Sequence, residues 1–192
     1  MSEILGRDGV AVYPTDTYYG LGANAYSAAA VEKIYGLKGR LRDKPLSVVA
    51  AGLEMAGLIA ADPPAALPGL AAAFWPGPLT LVLKARPVFP PVLLGPGGTV
   101  AVRVPALPWL RSLLEAAGFP LTATSANLAG AGEIADPVEA RRIFEGRVDL
   151  FIDGGRTPGG AVSTIVDLTG KTPRLVRPGA VPWDDILAHL NK

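Results

Sequence analysis

Strand-like segments that follow one another without a helix between them most constrain the fold of this 192-residue chain. In 79–104 the apolar runs LTLVLKA and VAVRVP are joined by a loop rich in Pro and Gly, and 148–177 holds three further runs in succession. This arrangement favours antiparallel pairs in a mixed sheet over a purely parallel, doubly wound sheet. Because no long linker divides the chain, the sequence predicts one α/β domain over 1–192, with a twisted mixed (parallel and antiparallel) sheet and flanking helices.

Helices are expected where start and stop signals bracket a helical pattern. They are predicted over 27–38, 53–60, 65–75, 108–118, 136–146 and 182–192. Ser27 and Asp136 are expected to act as N-caps, and Gly118 to end its helix.

The composition excludes several classes of protein. The formal net charge is +1 and the pI is near 8.0, which excludes a uniformly basic nucleic-acid coat but not a local basic patch. Cysteine is absent, so disulfides, thiolate nucleophiles and cysteine-based metal sites are excluded. The N-terminus lacks a signal-peptide pattern, and Asp62 and three prolines interrupt the most apolar tract. We therefore expect a soluble, cytoplasmic protein.

The residue types left for chemistry are hydroxyls, amides, lysine and arginine. The single histidine, His189, lies on the predicted last helix, where packing or surface exposure explains it, and no His/Cys cluster offers a zinc site. The sequence has neither a G-x-x-x-x-G-K-[ST] loop nor a G-x-G-x-x-G turn after its first strand. A site built from the remaining groups suits an anionic ligand and works by positioning and charge stabilisation.

The segment YPTDTYYGLGANA (13–25) concentrates hydrogen-bonding side chains at the end of the first strand. It follows the apolar run GVAVY (9–13) and leads into what is interpreted as a Gly-rich bend. A solvated turn needs one or two polar side chains, whereas five stand here in a row, from Thr15 to Tyr19.

Four cations alternate along LKGRLRDKPLS, at Lys38, Arg40, Arg42 and Lys44. An extended segment would place all four on one face, where they repel one another unless an anion such as a triphosphate or an RNA backbone neutralises them. A water-exposed loop over the sheet edge accounts for the same pattern, so both interpretations stay open here.

Further polar residues stand in or at the ends of predicted strands. Ser125 and Asn127 follow a strand in TATSAN, where a local side-chain turn is the alternative to a ligand site. Arg103 lies inside an apolar strand and needs a carboxylate, from the protein or from a ligand. Arg177 raises the same question, and Ser163 stands at the start of a strand. Strand ends are where open α/β sheets bind ligands.

Six motifs resemble those of the YrdC/TsaC family, the threonylcarbamoyl-AMP synthases. In chain order they are YPTDTYYGLGANA, KGRLRDKPL, VAVRVP, LTATSANLAG, STIVDLT and LVRPG. The match ends near the C-terminus, so the chain looks like the short form without the extra C-terminal domain of longer relatives. Leu41 stands where the family often has proline, and Asp16 and Tyr18 where it often has Glu and Val. Tyr18 adds bulk to the expected pocket wall.

The resemblance implies a YrdC-like fold and a reaction in which L-threonine, bicarbonate (or CO2) and ATP, with Mg²⁺, give threonylcarbamoyl-adenylate and pyrophosphate. The product would feed the threonylcarbamoyladenosine modification of tRNA through a separate transferase complex. The resemblance implies catalytic roles for Lys38, Arg40, Ser125 and Asn127. It implies that ATP is bound by these four together with Arg42, Thr99 and Arg177. It implies a threonine pocket made by Thr15, Ser47, Arg103 and Ser163, with Arg103 as a bidentate fork on the carboxylate.

Two rival functions remain. A double-stranded RNA or tRNA-binding module without catalysis would lose affinity steeply with salt. A carbamoyl-transfer domain like that of hydrogenase maturation proteins is disfavoured, because the Cys-rich zinc segments of those proteins have no counterpart in a chain without cysteine. Nucleotide-dependent release of pyrophosphate would favour the synthase.

Overall fold

The computed structural model describes residues 1–42 and 44–190, which form one nine-stranded sheet flanked by seven α-helices. The strands are β1 (Val10–Tyr13), β2 (Gly20–Ala23), β3 (Ser47–Val49), β4 (Leu79–Lys84), β5 (Thr99–Arg103), β6 (Leu121–Ser125), β7 (Leu150–Phe151), β8 (Thr164–Asp167) and β9 (Arg174–Arg177). The helices are α1 (Ser2–Gly6), α2 (Ala28–Lys38), α3 (Leu53–Ile59), α4 (Leu67–Phe74), α5 (Pro108–Ala117), α6 (Pro137–Phe144) and α7 (Trp183–Leu190).

The strand order across the sheet is β7-β1-β2-β6-β3-β5-β4-β8-β9. The pairs β1–β7, β3–β5 and β4–β8 are parallel, and the other neighbours are antiparallel. The predicted mixed sheet is therefore confirmed, and 79–104 forms the antiparallel pair β4–β5 as expected. In 148–177 only β8 and β9 pair with each other, because β7 crosses to the opposite edge beside β1.

The six predicted helices are present, with ends that differ by one or two residues. Ala30 N–H donates to the Ser27 hydroxyl (3.1 Å) at the start of α2, and Val138 N–H donates to Asp136 Oδ1 (2.8 Å) at the start of α6. Residues 191–192 of the predicted closing helix lie outside the described residues. The sequence did not predict α1, a single short turn that buries Leu5 beside α5. Among the described helices, none has the length and apolar character needed to cross a membrane.

The glycines at 20–23 form a strand and not the expected bend. Gly20 and Gly22 belong to β2, which pairs antiparallel with β1 and β6. A Cβ at Gly22 would stand 2.6 Å from Cε1 of the buried Tyr13 ring. Glycine is required at this position because an aromatic ring packs directly on the strand backbone. Close packing of this kind, and not only a turn, can place glycine inside a strand.

Alternating side chains give the sheet two unlike faces. On β4, Leu79, Leu81 and Leu83 enter the larger core, which also holds the buried apolar residues of α2, α6 and α7. On the other face a smaller core forms, in which Leu110 of α5 belongs to the same cluster as Tyr13. The smaller core covers only part of this second face, and a cavity opens beside it.

Candidate functional site

The cavity has a volume of about 370 Å³ and lies where the loop after β1 meets strands β3 to β6. This volume is in the range typical of small-molecule sites. Its charged and hydroxyl-bearing lining consists of Tyr13, Thr15, Asp16, Thr17, Tyr18, Tyr19, Arg40, Ser47, Thr80, Arg103, Thr124, Ser125, Glu133, Ser163 and Arg177. Of the sequence-predicted site residues, it brings together Thr15, Arg40, Ser47, Arg103, Ser125, Ser163 and Arg177.

Three arginines from distant segments supply the cations of the described lining. Arg40 follows α2 and donates from Nε to Lys44 O (2.9 Å) and from Nη2 to Pro45 O (3.2 Å). Arg177 at the end of β9 donates from Nη2 to Ser163 O (2.8 Å) and to the Ser163 hydroxyl (3.0 Å). Backbone carbonyls thus hold both guanidinium groups in place without neutralising their charge.

Arg103 differs from the other two arginines because the protein supplies it with a carboxylate. Its Nη2 pairs with Asp16 Oδ2, and its Nε donates to Gly77 O (2.8 Å). The partner that an arginine in an apolar strand requires is therefore a protein group. Two of the five guanidinium N–H groups are engaged in these contacts.

The hydroxyl of Thr15 builds the loop and is not free for a ligand. It donates to Tyr18 O (2.5 Å) and accepts from the backbone N–H groups of Thr17 (3.1 Å) and Tyr18 (3.2 Å). This is the side-chain turn that Ser and Thr commonly form. The hydroxyl is thereby saturated, so Thr15 contributes its methyl group and the shape of the loop to the cavity wall.

The hydroxyls of Tyr18 and Tyr19 fasten the loop between β7 and β8 to the cavity rim. Tyr18 donates to Gly160 O (3.2 Å), and Tyr19 donates to Gly155 O (2.7 Å). The backbone adds a bond from Gly159 N–H to Thr17 O (2.7 Å). Loop anchoring therefore accounts for Thr15, Tyr18 and Tyr19, and the pair with Arg103 accounts for Asp16.

Lys38 lies in a buried network and not on the cavity wall. It is 3% exposed, and its Nζ donates to Ser125 O, Asn127 O (2.8 Å) and Asn127 Oδ1 (2.8 Å). Burial lowers the pKa of Lys38 to about 8, and the nearby positive charge of Arg40 adds to this shift. The same Asn127 Oδ1 accepts from the Ser125 hydroxyl (2.7 Å), so the network connects Lys38 to a side chain that does line the cavity.

Of the two interpretations of the alternating cations, the described residues 38–42 fit the exposed loop and not an extended segment with one common face. The helix α2 continues to Lys38, and Gly39 ends it in the left-handed conformation (φ 59°). Arg42 instead pairs with Glu32 on the outer surface (2.8 Å).

One further predicted ligand residue, Thr99, stands apart from the cavity. Thr99 is the first residue of β5, whereas Arg103 is its last, and the Thr99 hydroxyl donates to Pro96 O (3.2 Å). Within the described part of the chain, Lys38, Arg42, Thr99 and Asn127 do not belong to the cavity lining. Thr99 and Arg42 therefore do not meet the other candidates.

Sequence reasoning missed three side chains of the cavity. Asp16 was seen as polar but not as the partner of Arg103, because 87 residues separate them. Thr80 could have been found, since it is the one hydroxyl in the alternating run LTLVLKA, and it lies 2.9 Å from the Ser163 hydroxyl. Glu133 gave no signal, because a loop with no periodic pattern brings it to the cavity.

Comparison with known proteins gives consistent results. Residues 3–179 match the Sua5/YciO/YrdC family model, which is described as "Telomere recombination". The chain is 42% identical over 181 residues to a threonylcarbamoyl-AMP synthase of Pyrococcus abyssi, covering 94% of this chain and 53% of that protein. It is 36% identical to a threonylcarbamoyl-AMP synthase of Marinobacter nauticus, covering 85% and 87%.

A solved structure agrees with these sequence matches. The structure of P. abyssi Sua5 complexed with L-threonine superposes with a TM-score of 0.92 at 39% identity, covering 98% of this chain and 56% of that one. This chain thus spans about half the length of the P. abyssi protein. The match of the family model over nearly all of the sequence establishes that the chain belongs to the Sua5/YciO/YrdC family.

Proposed function

We propose that this chain is a threonylcarbamoyl-AMP synthase, which joins L-threonine, bicarbonate or CO2 and ATP into threonylcarbamoyl-adenylate with release of pyrophosphate. The observation that carries the proposal is the convergence of Arg40, Arg103 and Arg177, from three distant segments, on one cavity lined by hydroxyls. Relatives with this activity in their names, and one relative bound to L-threonine, support the assignment.

The amino-acid end of the cavity is assigned to Arg103 and its neighbours. Nη1 of Arg103 has no protein partner within residues 1–42 and 44–190, so it is available for the α-carboxylate of threonine. Charge-assisted bonds of this kind are the strong ones in proteins. Ser47 and Ser163 line the same cavity, and their hydroxyls are the proposed partners of the threonine side chain.

The nucleotide end is assigned to Arg40, Arg177 and Ser125. Attack of the carbamate oxygen on the α-phosphate builds negative charge on phosphate oxygens and on the leaving pyrophosphate. Preorganised guanidinium groups stabilise that charge without reorganising at the moment of reaction. Lys38 and Asn127 act from behind the wall, by holding the Ser125 hydroxyl in place.

Mg²⁺ would enter with the triphosphate. Mg²⁺ sites commonly combine one or two carboxylates with substrate phosphates and water. The described lining offers two carboxylates, and Asp16 is already paired with Arg103. Glu133 is therefore the residue we assign to the metal, which supplies further charge neutralisation when bound.

We further propose that the product serves tRNA modification through a separate transferase complex and that the reaction takes place in the cytoplasm. Both rest on the resemblance to the YrdC/TsaC family and not on a docking surface of this chain.

The test is to incubate the protein with ATP, bicarbonate and each amino acid in turn, and to measure pyrophosphate together with the mass of the nucleotide product. We expect release that depends on threonine, and an adduct of threonylcarbamoyl-AMP mass. Arg177→Ala should raise the ATP requirement at least tenfold. Arg174→Ala is the matched control on the same strand, where the exposed Arg174 pairs with Asp167 (3.2 Å) outside the cavity lining. Pyrophosphate release that does not depend on the amino acid would refute the proposal. RNA affinity without turnover would support the binding-module alternative.

A further inference from the structure

The loop after β1 is built so that Asp16 faces Arg103. Thr15 closes a side-chain turn whose bonds to Thr17 N–H, Tyr18 N–H and Tyr18 O fix the backbone on both sides of Asp16. The loop is also tied to the segment after β7 by Gly159 N–H. A carboxylate in such a loop has little freedom to move, so its pairing with Arg103 is a property of the fold.

The Arg103–Asp16 pair is largely removed from water. The side chains are 14% and 23% exposed, and Asp16 Oδ1 is buried with no hydrogen-bond donor in the described residues. A buried acceptor that is left unsatisfied destabilises the folded state. Asp16 is therefore held against Arg103 in spite of a poorly satisfied second oxygen, which makes a purely stabilising role for this carboxylate a weak explanation.

Arg103 needs both orientation and charge compensation at this place. Asp16 and Gly77 O fix the plane of the guanidinium through Nη2 and Nε, and Nη1 of this cavity-lining residue has no partner among the described residues. Burial lowers the pKa of Arg177, and the positive charge of the nearby Arg103 lowers it further, while Glu133 acts in the opposite direction. A carboxylate beside Arg103 reduces the repulsion between these two guanidinium groups before any ligand arrives.

From these contacts we infer that Asp16 is a positioning residue for amino-acid recognition, which aims the Arg103 guanidinium at the substrate carboxylate without touching the reacting atoms. This inference rests on the proposed function and adds a role for Asp16, which the proposed function does not assign. A competing possibility is that Asp16 occupies the place of the substrate carboxylate and must be displaced by it. The two predict opposite changes in threonine affinity.

The test compares Asp16→Asn with Asp184→Asn, which removes an exposed carboxylate at the start of α7. Pyrophosphate release is measured against threonine at saturating ATP and against ATP at saturating threonine, and the melting temperature of each variant is recorded. We expect Asp16→Asn to raise the KM for threonine about tenfold or more with a much smaller change in the KM for ATP, and Asp184→Asn to resemble the wild type.

Each result decides between the possibilities. A lower KM for threonine in Asp16→Asn would identify Asp16 as a displaced placeholder and overturn the inference. An unchanged threonine dependence, or equal losses toward threonine and ATP, would also overturn it while leaving the proposed function intact. If the wild type itself releases no threonine-dependent pyrophosphate, the proposed function fails, and the inference fails with it. If Asp16→Asn does not fold, Asp16→Ser, which also removes the carboxylate and keeps a small polar side chain, must show the same selective rise in the KM for threonine.

Discussion

Replacing Lys38 by methionine tests the buried network behind the cavity. The change keeps a long unbranched side chain and removes the ammonium group that donates to Ser125 O, Asn127 O and Asn127 Oδ1. Two of these acceptors retain another donor, because Asn127 N–H donates to Ser125 O (2.9 Å) and the Ser125 hydroxyl donates to Asn127 Oδ1. Asn127 O is left without a donor among the described residues.

The expected loss of stability follows from which of the three acceptors keep a donor. An orphaned buried carbonyl costs about 1–3 kcal/mol, and the two acceptors that keep a donor lose a charged partner. The loss is offset in part because methionine does not bury a charge. We therefore expect Lys38→Met to lower the free energy of unfolding at pH 7 by about 2–3 kcal/mol, by the same accounting. For a chain of this length that lowers the melting temperature by roughly 4–12 °C.

The assay is reversible denaturant or thermal unfolding of the wild type, Lys38→Met and Lys44→Met. Lys44 is exposed and close in sequence, so its replacement controls for the loss of one positive charge. A melting temperature for Lys38→Met within 1 °C of that of Lys44→Met would refute the structural role given to the network.

Three further predictions concern other links between sequence and function. The pKa of Lys38 falls from 10.5 in the unfolded chain to about 8 in the folded protein. Between these two pH values the unfolded state binds more protons, so the free energy of unfolding of the wild type rises with pH. The difference in this free energy between the wild type and Lys38→Met should therefore widen by about 1.4 kcal/mol per pH unit above pH 8. A constant gap from pH 7 to pH 10 would contradict this. Arg103→Ala should raise the KM for threonine at least tenfold, measured by pyrophosphate release, and an unchanged KM would remove Arg103 from the threonine site. Gly22→Ala should lower the melting temperature, at a cost of about 1–3 kcal/mol, because a Cβ would clash with the Tyr13 ring, whereas Gly36→Ala in α2 meets nothing within 4 Å and should be neutral or slightly stabilising.

Local chemistry made much of the fold predictable. Apolar runs bounded by Gly and Pro mark the strands, and caps such as Ser27 and Asp136 mark the helix starts, since each signal acts over a few residues. The strand β2 was missed because the requirement for Gly22 comes from Tyr13 on the neighbouring strand. A tertiary contact of this kind has no local signature.

The residue types of the site were easier to predict from the sequence than the contacts between them. Arg103 was correctly expected to need a carboxylate, yet its partner could be identified only once β1 and β5 were placed in one sheet. Lys38 and Arg42 would share a face only in an extended segment, and the helix end at Gly39 instead leaves Lys38 buried and Arg42 paired with Glu32. Spacing predicts a common face only when the backbone conformation between the residues is known.

The proposed function depends most on a single cavity that holds both ATP and threonine. A crystal structure of the protein with a non-hydrolysable ATP analogue, Mg²⁺ and L-threonine tests it most directly. We expect the phosphates within hydrogen-bonding distance of Arg40 and Arg177, and the threonine carboxylate on Arg103. A nucleotide bound outside this cavity, for example beside Arg42, or a threonine carboxylate that does not contact Arg103, would contradict the account.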